Sequence, residues 1–176
     1  MSRFLTYEQL RRPENLYEHR YDSQQIFKHN YSESITVFLS HRHTENTELL
    51  NQVRGFFASL GAKLYIDWMD KDMPPVTSGE TALKLKYRIK SSKKFIVLAT
   101  PESIYSIWIP WEIGLADQIK GLDNVAILPI VHDDGLWKNR EYYQLYNRIE
   151  NLNGTWSVIK PGVVFTGTAL DEWLRK

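Results

Sequence analysis

From residue 35 onward, short apolar runs alternate with longer stretches whose apolar residues recur every three or four positions. "ITVFLS" (35–40), β-branched at its start, reads as a buried strand. In "TENTELLNQVRGFFASLG" the residues Leu49, Leu50, Val53, Phe56, Phe57 and Leu60 share one helix face. Gly61 follows where a C′ glycine ends a helix. "AKLYID" (62–67) is a second strand, and residues 68–78 form a loop carrying two prolines. A helix is predicted over 79–91, with Ala82, Leu85 and Ile89 on one face and Leu83 and Tyr87 beside it. "KFIVLAT" (94–100) is a third strand. Pro101 opens a turn into a helical segment reaching about residue 120, which Pro110 delays or bends. "VAILPIV" (125–131) is a fourth strand, and Pro129 argues against a central place for it. Beyond Asp134 the signal weakens to a Tyr-rich helical stretch, a short run at "WSVIK" and a last helix near "TALDEWLRK".

Strand and helix in turn, with short joints, imply parallel strands linked by right-handed crossovers. Strands that are apolar almost throughout fit a sheet covered on both faces. The class expected is therefore α/β, a flavodoxin-like three-layer sandwich with a mainly parallel central sheet. Residues 1–34 differ: they are polar and Tyr-rich. Thr6 and Gln9 have capping-box spacing, and Leu5 and Leu10 the spacing of a hydrophobic staple. They are read as a helical N-terminal extension packed on a domain that spans 35–176.

Composition narrows the function classes. The 176 residues suffice for one domain with a core. Twenty-two basic against 21 acidic side chains, a net charge of +1, favour neither nucleic acid nor an anionic membrane as partner. No cysteine is present, which excludes disulfides, thiolate catalysis and Cys-ligated zinc. The first residues carry no apolar signal-peptide segment, and no run approaches the ~18–20 apolar residues of a membrane helix. A cytoplasmic protein is expected.

Open α/β sheets bind ligands beyond the carboxyl ends of their strands. The first predicted strand ends at Ser40, His41, Arg42 and His43, the second at Asp67 and Trp68, the third at Thr100, and the fourth at His132, Asp133 and Asp134. Glu80, in the first turn of the second helix, falls on the same rim, with Arg42 and Trp68 nearby. An acid in a first turn is also favoured by the helix macrodipole, by about 0.3–1 kcal/mol, so position alone does not make it functional. His41 and His43 have His-x-His spacing but no third ligand beside them, so polar strand-end residues outrank a metal site. Asp70, Lys71 and Asp72 read as a solvated loop, and His132 to Asp134 as a loop cap. In "WIPWE", Trp108 and Trp111 read as packing under the third helix, and Glu112 as a bond to ligand or, more readily, to structure. Neither a Gly-x-Gly-x-x-Gly nor a Walker motif occurs, so no Rossmann loop or P-loop is expected.

Three stretches, "ITVFLSHRHTEN", "GAKLYIDWMDKDMPPVTSGETALKLKYRIKSSKKFIVLAT" and "WIPWEIGLA", resemble the TIR domain in order and spacing across about residues 35–131. The loop after "YID" resembles the family's BB loop, and the absence of receptor or nucleotide-switch domains resembles stand-alone bacterial TIR proteins, among them those of Thoeris-type antiphage defence. The resemblance implies cleavage of NAD+ as substrate, with release of nicotinamide and formation of ADP-ribose or a cyclic or conjugated relative. It implies Glu80 as the catalytic carboxylate. Ser40, His41, Arg42, Trp68 and Glu112 are the expected substrate-binding residues, with Arg42 on ribose or phosphate and Trp68 stacked on a ring. His41 departs from the tyrosine frequent at its position. No metal and no resident cofactor are implied. Self-association through TIR–TIR contacts and a downstream nucleotide-sensing effector are the partners implied.

One carboxylate suffices for such chemistry. Nicotinamide leaves NAD+ as a neutral molecule, so no general acid is needed, and a fixed negative charge stabilises the oxocarbenium-like ribose. Two other readings stay open: a non-catalytic TIR scaffold acting by self-association, and an enzyme like the nucleoside deoxyribosyltransferases.

Overall fold

The computed structural model describes residues 2–12, 35–74, 78–132, 135–137 and 139–176. Eight strands form one sheet: β1 (Leu5–Thr6), β2 (Ile35–Ser40), β3 (Ala62–Tyr65), β4 (Lys94–Ala99), β5 (Val125–Val131), β6 (Asn147–Leu152), β7 (Thr155–Ile159) and β8 (Thr168–Ala169). Their order is β3-β2-β4-β5-β6-β7-β8, with β1 added against β5. Pairing is parallel from β3 to β6 and antiparallel from β6 to β8. Among the described residues five α-helices accompany it: α1 (Tyr7–Arg11), α2 (Thr47–Ser59), α3 (Gly79–Ser91), α4 (Trp108–Lys120) and α5 (Leu170–Arg175).

Alternation along the strands splits the core in two. Val37 and Leu39 of β2, with Ile96 and Leu98 of β4, face a layer holding Leu49, Leu50, Val53, Phe56 and Phe57 of α2 and Leu170, Trp173 and Leu174 of α5. Phe38, Phe95, Val97 and Ala99 face the opposite layer, where Leu85 and Ile89 of α3 and Ile109, Ile113 and Ala116 of α4 pack. Both faces of the sheet are covered, which is why its strands read as unbroken apolar runs. Among the described residues no helix is long and apolar enough to cross a membrane.

Helix ends follow the local chemistry. Asn46 caps α2 through its side-chain oxygen on the Glu48 and Leu49 amides, and Gly61 follows at φ 78°, the left-handed conformation that ends a helix at low cost. Ser78 and Thr81 close a capping box on α3. Pro110 sits within the first turn of α4, where its missing N–H costs nothing, so α4 starts late at Trp108. On α3 the buried positions are Thr81, Leu85 and Ile89, whereas Leu83 and Tyr87 are exposed.

Two expectations change, and two features add to the expected pattern. Pro129 does not move its strand to an edge: β5 is central, and Pro129 lies between the end of the β6 pairing at Ile127 and the start of the β1 pairing at Ile130. On that flank no pairing falls at Pro129, which keeps its register with Ala99 of β4 on the other. Residues 2–12 join the domain's own sheet through β1, and the Thr6–Gln9 capping box opens the short helix α1. The rest of the expected helical extension, from residue 13, lies outside the described residues. The Tyr-rich stretch forms a 3₁₀ turn, Glu141–Leu145. The strand β6 that follows was unread because its polar Asn147, Glu150 and Asn151 are buried. Glu150 is fully buried between Arg3 and Arg148, each with Nε 2.7 Å from a carboxylate oxygen.

Candidate active site

The strand order reverses direction between β2 and β4. From β2 the chain steps outward to β3, then α3 carries it back over β2 to β4. Such a switch point leaves a crevice beyond the strand ends, flanked here by residues 41–46 after β2 and residues 100–107 after β4. Glu45 and Thr100 tie the two segments together, Thr100 Oγ1 donating to Glu45 Oε2 at 2.8 Å. The Glu45 amide donates to the Arg42 carbonyl at 2.9 Å.

Glu112 enters this place from α4. The late start of the helix sets its phase, so that Ile109, Glu112, Ile113 and Ala116 form the inward face. The residue is 5% exposed. Ser40 Oγ, at the last residue of β2, donates to Glu112 Oε2 at 2.5 Å. Burial pushes the Glu112 carboxyl up to about 7; the Ser40 hydrogen bond and His41 pull it down in part, while the Asp67 charge adds to the rise. Near neutral pH this group is therefore split between carboxylate and acid.

His41 is the next residue, with its side chain 2% exposed. Nδ1 lies 2.8 Å from the Arg42 carbonyl, and Nε2 lies 2.8 Å from Asp67 Oδ1, an ion-pair contact off the line of the N–H. Burial alone would lower the imidazole's pKa, but Asp67 and the Arg42 carbonyl outweigh it and the net shift is upward. Asp67 shows the mirror effect. Burial raises its carboxyl, yet His41 and the Trp68 amide, which donates to Asp67 Oδ1 at 2.8 Å, bring it below the usual carboxylate range. Asp67 stood at a strand end in the sequence, but no role was read for it.

Trp68 lies next to this pair, in a 3₁₀ turn, Asp67–Met69, and is 43% exposed. Arg42 is half-buried, and its guanidinium makes no ion pair among the described residues. Trp108 and Trp111 meet edge to face at 5.6 Å. Trp108 packs on the core, but Trp111 is 40% exposed and does not fill space beneath α4 as expected.

Glu80 is placed elsewhere. Its side chain is 66% exposed and pairs with Lys84 one turn on, at 3.3 Å. It borders an open depression of about 330 Å³ shared with Asp70, Asp72, Leu83, Lys84, Tyr87 and Arg88. Asp70 is not merely solvated there: it accepts from Tyr65 Oη at 2.8 Å and from Arg88 Nε at 3.0 Å. A larger depression, about 470 Å³, lies between α1 and α2 and includes Tyr7, Arg11, Arg12, Asn46 and His132. Neither depression contains Ser40 or Glu112. His132 stacks on Tyr7 at 5.0 Å, and the expectation for Asp133 and Asp134 falls outside the described residues. The structure thus brings together Ser40, His41 and Glu112, sets Trp68 beside them through Asp67, and leaves Glu80 out of the group. Among the described residues no three metal-binding side chains gather.

The comparisons with known proteins agree with this architecture. A family model described as "TIR domain" matches residues 37–154. The chain is 31% identical over 156 residues to a Bacillus cereus (strain MSX-D12) protein named "Probable 3' cyclic ADP-D-ribose synthase ThsB'", an alignment covering 86% of this chain and 75% of that protein. By both measures this chain belongs to the TIR domain family.

Proposed function

We propose that this protein cleaves the nicotinamide–ribose bond of NAD+ and converts the ADP-ribosyl part into a cyclic or conjugated nucleotide signal, in antiviral defence. Three things support the reading: family membership, the activity in the name of the Bacillus cereus relative, and a buried carboxylate at the topological switch point. The single observation that carries it is Glu112, withdrawn from water and held by Ser40.

The chemistry follows from that environment. As the C1′–N bond breaks, its electron pair returns to the nicotinamide nitrogen and the ring departs neutral. Positive charge develops on the ribose. A carboxylate in a low-dielectric site stabilises that charge far more than it would in water. A hydroxyl of the same molecule, giving the cyclic product, or of a second acceptor molecule, giving the conjugate, then bonds to C1′, and its proton passes to Glu112. A group titrating near 7 is suited to accept it. Ser40 holds the carboxylate in one rotamer, Trp68 offers a face for the flat nicotinamide, and Arg42 offers a fork for phosphate. On this geometry the catalytic role the sequence resemblance implied for Glu80 passes to Glu112, and Glu80 serves the start of α3.

The test is to incubate the protein with NAD+ and resolve products by reverse-phase chromatography and mass spectrometry, comparing wild type, Glu112→Gln and Glu80→Gln. Free nicotinamide and an ADP-ribose-derived product from wild type and Glu80→Gln, but not from Glu112→Gln, is the outcome expected. Equal turnover in wild type and Glu112→Gln overturns the assignment. A wild type that leaves NAD+ intact under every condition favours a scaffold instead.

A further inference from the structure

His41 is buried, and both of its ring nitrogens lie on acceptors. A neutral imidazole donates from only one nitrogen. Nδ1 lies on the Arg42 carbonyl, and Nε2 lies 2.8 Å from a carboxylate oxygen though off the line of its N–H, so the charge pairing rather than a second hydrogen bond favours the imidazolium. The acceptor matters as well: Asp67 Oδ1 receives the Trp68 amide at the same 2.8 Å. One oxygen therefore joins the end of β2 to the turn that presents Trp68. That turn is further closed by Met69 and Asp70 amides donating to the Ile66 and Asp67 carbonyls.

We propose that His41 and Asp67 form a positioning pair: the His41 cation holds the Asp67 carboxylate that fixes Trp68, and it screens Glu112 from the negative charge of Asp67. The inference rests on the reading of Glu112 and Trp68 given above. Two consequences separate it from a merely structural role. Removing the cation while keeping Asp67 leaves an uncompensated negative charge beside Glu112 and makes Glu112 harder to ionise. Loosening the turn releases the indole, which weakens ring stacking without removing the carboxylate.

The charged and titratable groups that act on the pair are Asp67 from the turn after β3, Glu112 from α4 and His43 from the loop after β2. In His41→Gln the acid limb of the kcat/KM profile moves to higher pH by about one unit, and KM for NAD+ rises about 3- to 10-fold, the worth of an aromatic stacking contact. In His41→Gln/Asp67→Asn the limb returns to or below its wild-type position, because the offending charge is gone, while KM stays high. Circular dichroism and Tm establish that each variant is folded. A limb that stays put in folded His41→Gln overturns the proposal, and so does an unchanged KM in the double variant. A second readout does not need turnover: ¹⁵N NMR of the wild type at pH 7.5. Protons on both His41 nitrogens, lost from one of them in Asp67→Asn, support the pair; a neutral tautomer in the wild type sinks it. Absence of NAD+ cleavage would count against the proposed function alone, since the NMR result stands apart from it.

Discussion

Ser40 Oγ and Glu112 Oε2 lie 2.5 Å apart although 72 residues separate them in the chain. One is the last residue of β2 and the other lies on the inward face of α4. Their contact joins β2 to α4 where the strand order reverses, and of Glu80 and Glu112 it is Glu112 that is withdrawn from water.

The two candidate glutamates separate by activity. Glu112→Gln keeps the size and most hydrogen-bonding capacity of the side chain but removes its charge and basicity, and is expected to slow NAD+ cleavage about 10²- to 10⁴-fold. Glu80→Gln breaks only an exposed pair with Lys84. Such pairs contribute little, so its rate stays within about twofold of wild type. Steady-state release of nicotinamide measures both.

Stability should show the opposite trend for Glu112. Its carboxyl titrates at about 7 in the fold against 4.5 when unperturbed, because burial disfavours the ion. Between these values the native state holds the proton that the unfolded state has lost. Stability therefore falls as pH rises from about 4.5 to about 7, by roughly 3 kcal/mol once the group is fully ionised. Glu112→Gln removes that slope. Denaturant melts at pH 5 and pH 8 should show the variant gaining on wild type at the higher pH.

Activity should rise with pH across the same group. If the ionised form does the chemistry, kcat/KM climbs through about 7 and levels above it. A profile flat from pH 5.5 to 8.5 would exclude Glu112 as the titrating group.

Far from the crevice, Gly167 precedes the edge strand β8 for a steric reason. A Cβ there would lie 2.7 Å from Ile159 Cδ1 and 2.8 Å from the Val158 carbonyl oxygen. The isoleucine tip can move, but the carbonyl belongs to β7, which pairs with β8 at Val158 and Thr168. Gly167→Ala is expected to cost about 1–3 kcal/mol, read from urea midpoints, with NAD+ cleavage by the folded fraction unchanged.

Much of the architecture was legible in the residues. The short apolar runs and the period-3.6 pattern placed β2, α2, α3 and β4 almost to the residue, and Gly61 and Pro110 marked a helix end and a helix start. Strand β6 escaped because its buried polar groups are satisfied by distant partners, Glu150 by Arg3 and Arg148, and such compensation has no local pattern. The central place of β5 escaped because Pro129 falls in the gap between the β6 and β1 pairings on one flank, and pairing partners are set by the whole sheet.

By itself, the sequence determined the order of elements and therefore the edge at which a ligand must sit: apolar periodicity is a local property, and parallel crossovers then bring all strand ends to one side. It could not choose between Glu80 and Glu112. Both sit near the start of a helix on that edge, and a carboxylate's chemistry depends on what surrounds it in space. Only the tertiary structure placed Ser40 and a desolvating wall around Glu112 and left Glu80 to water and Lys84.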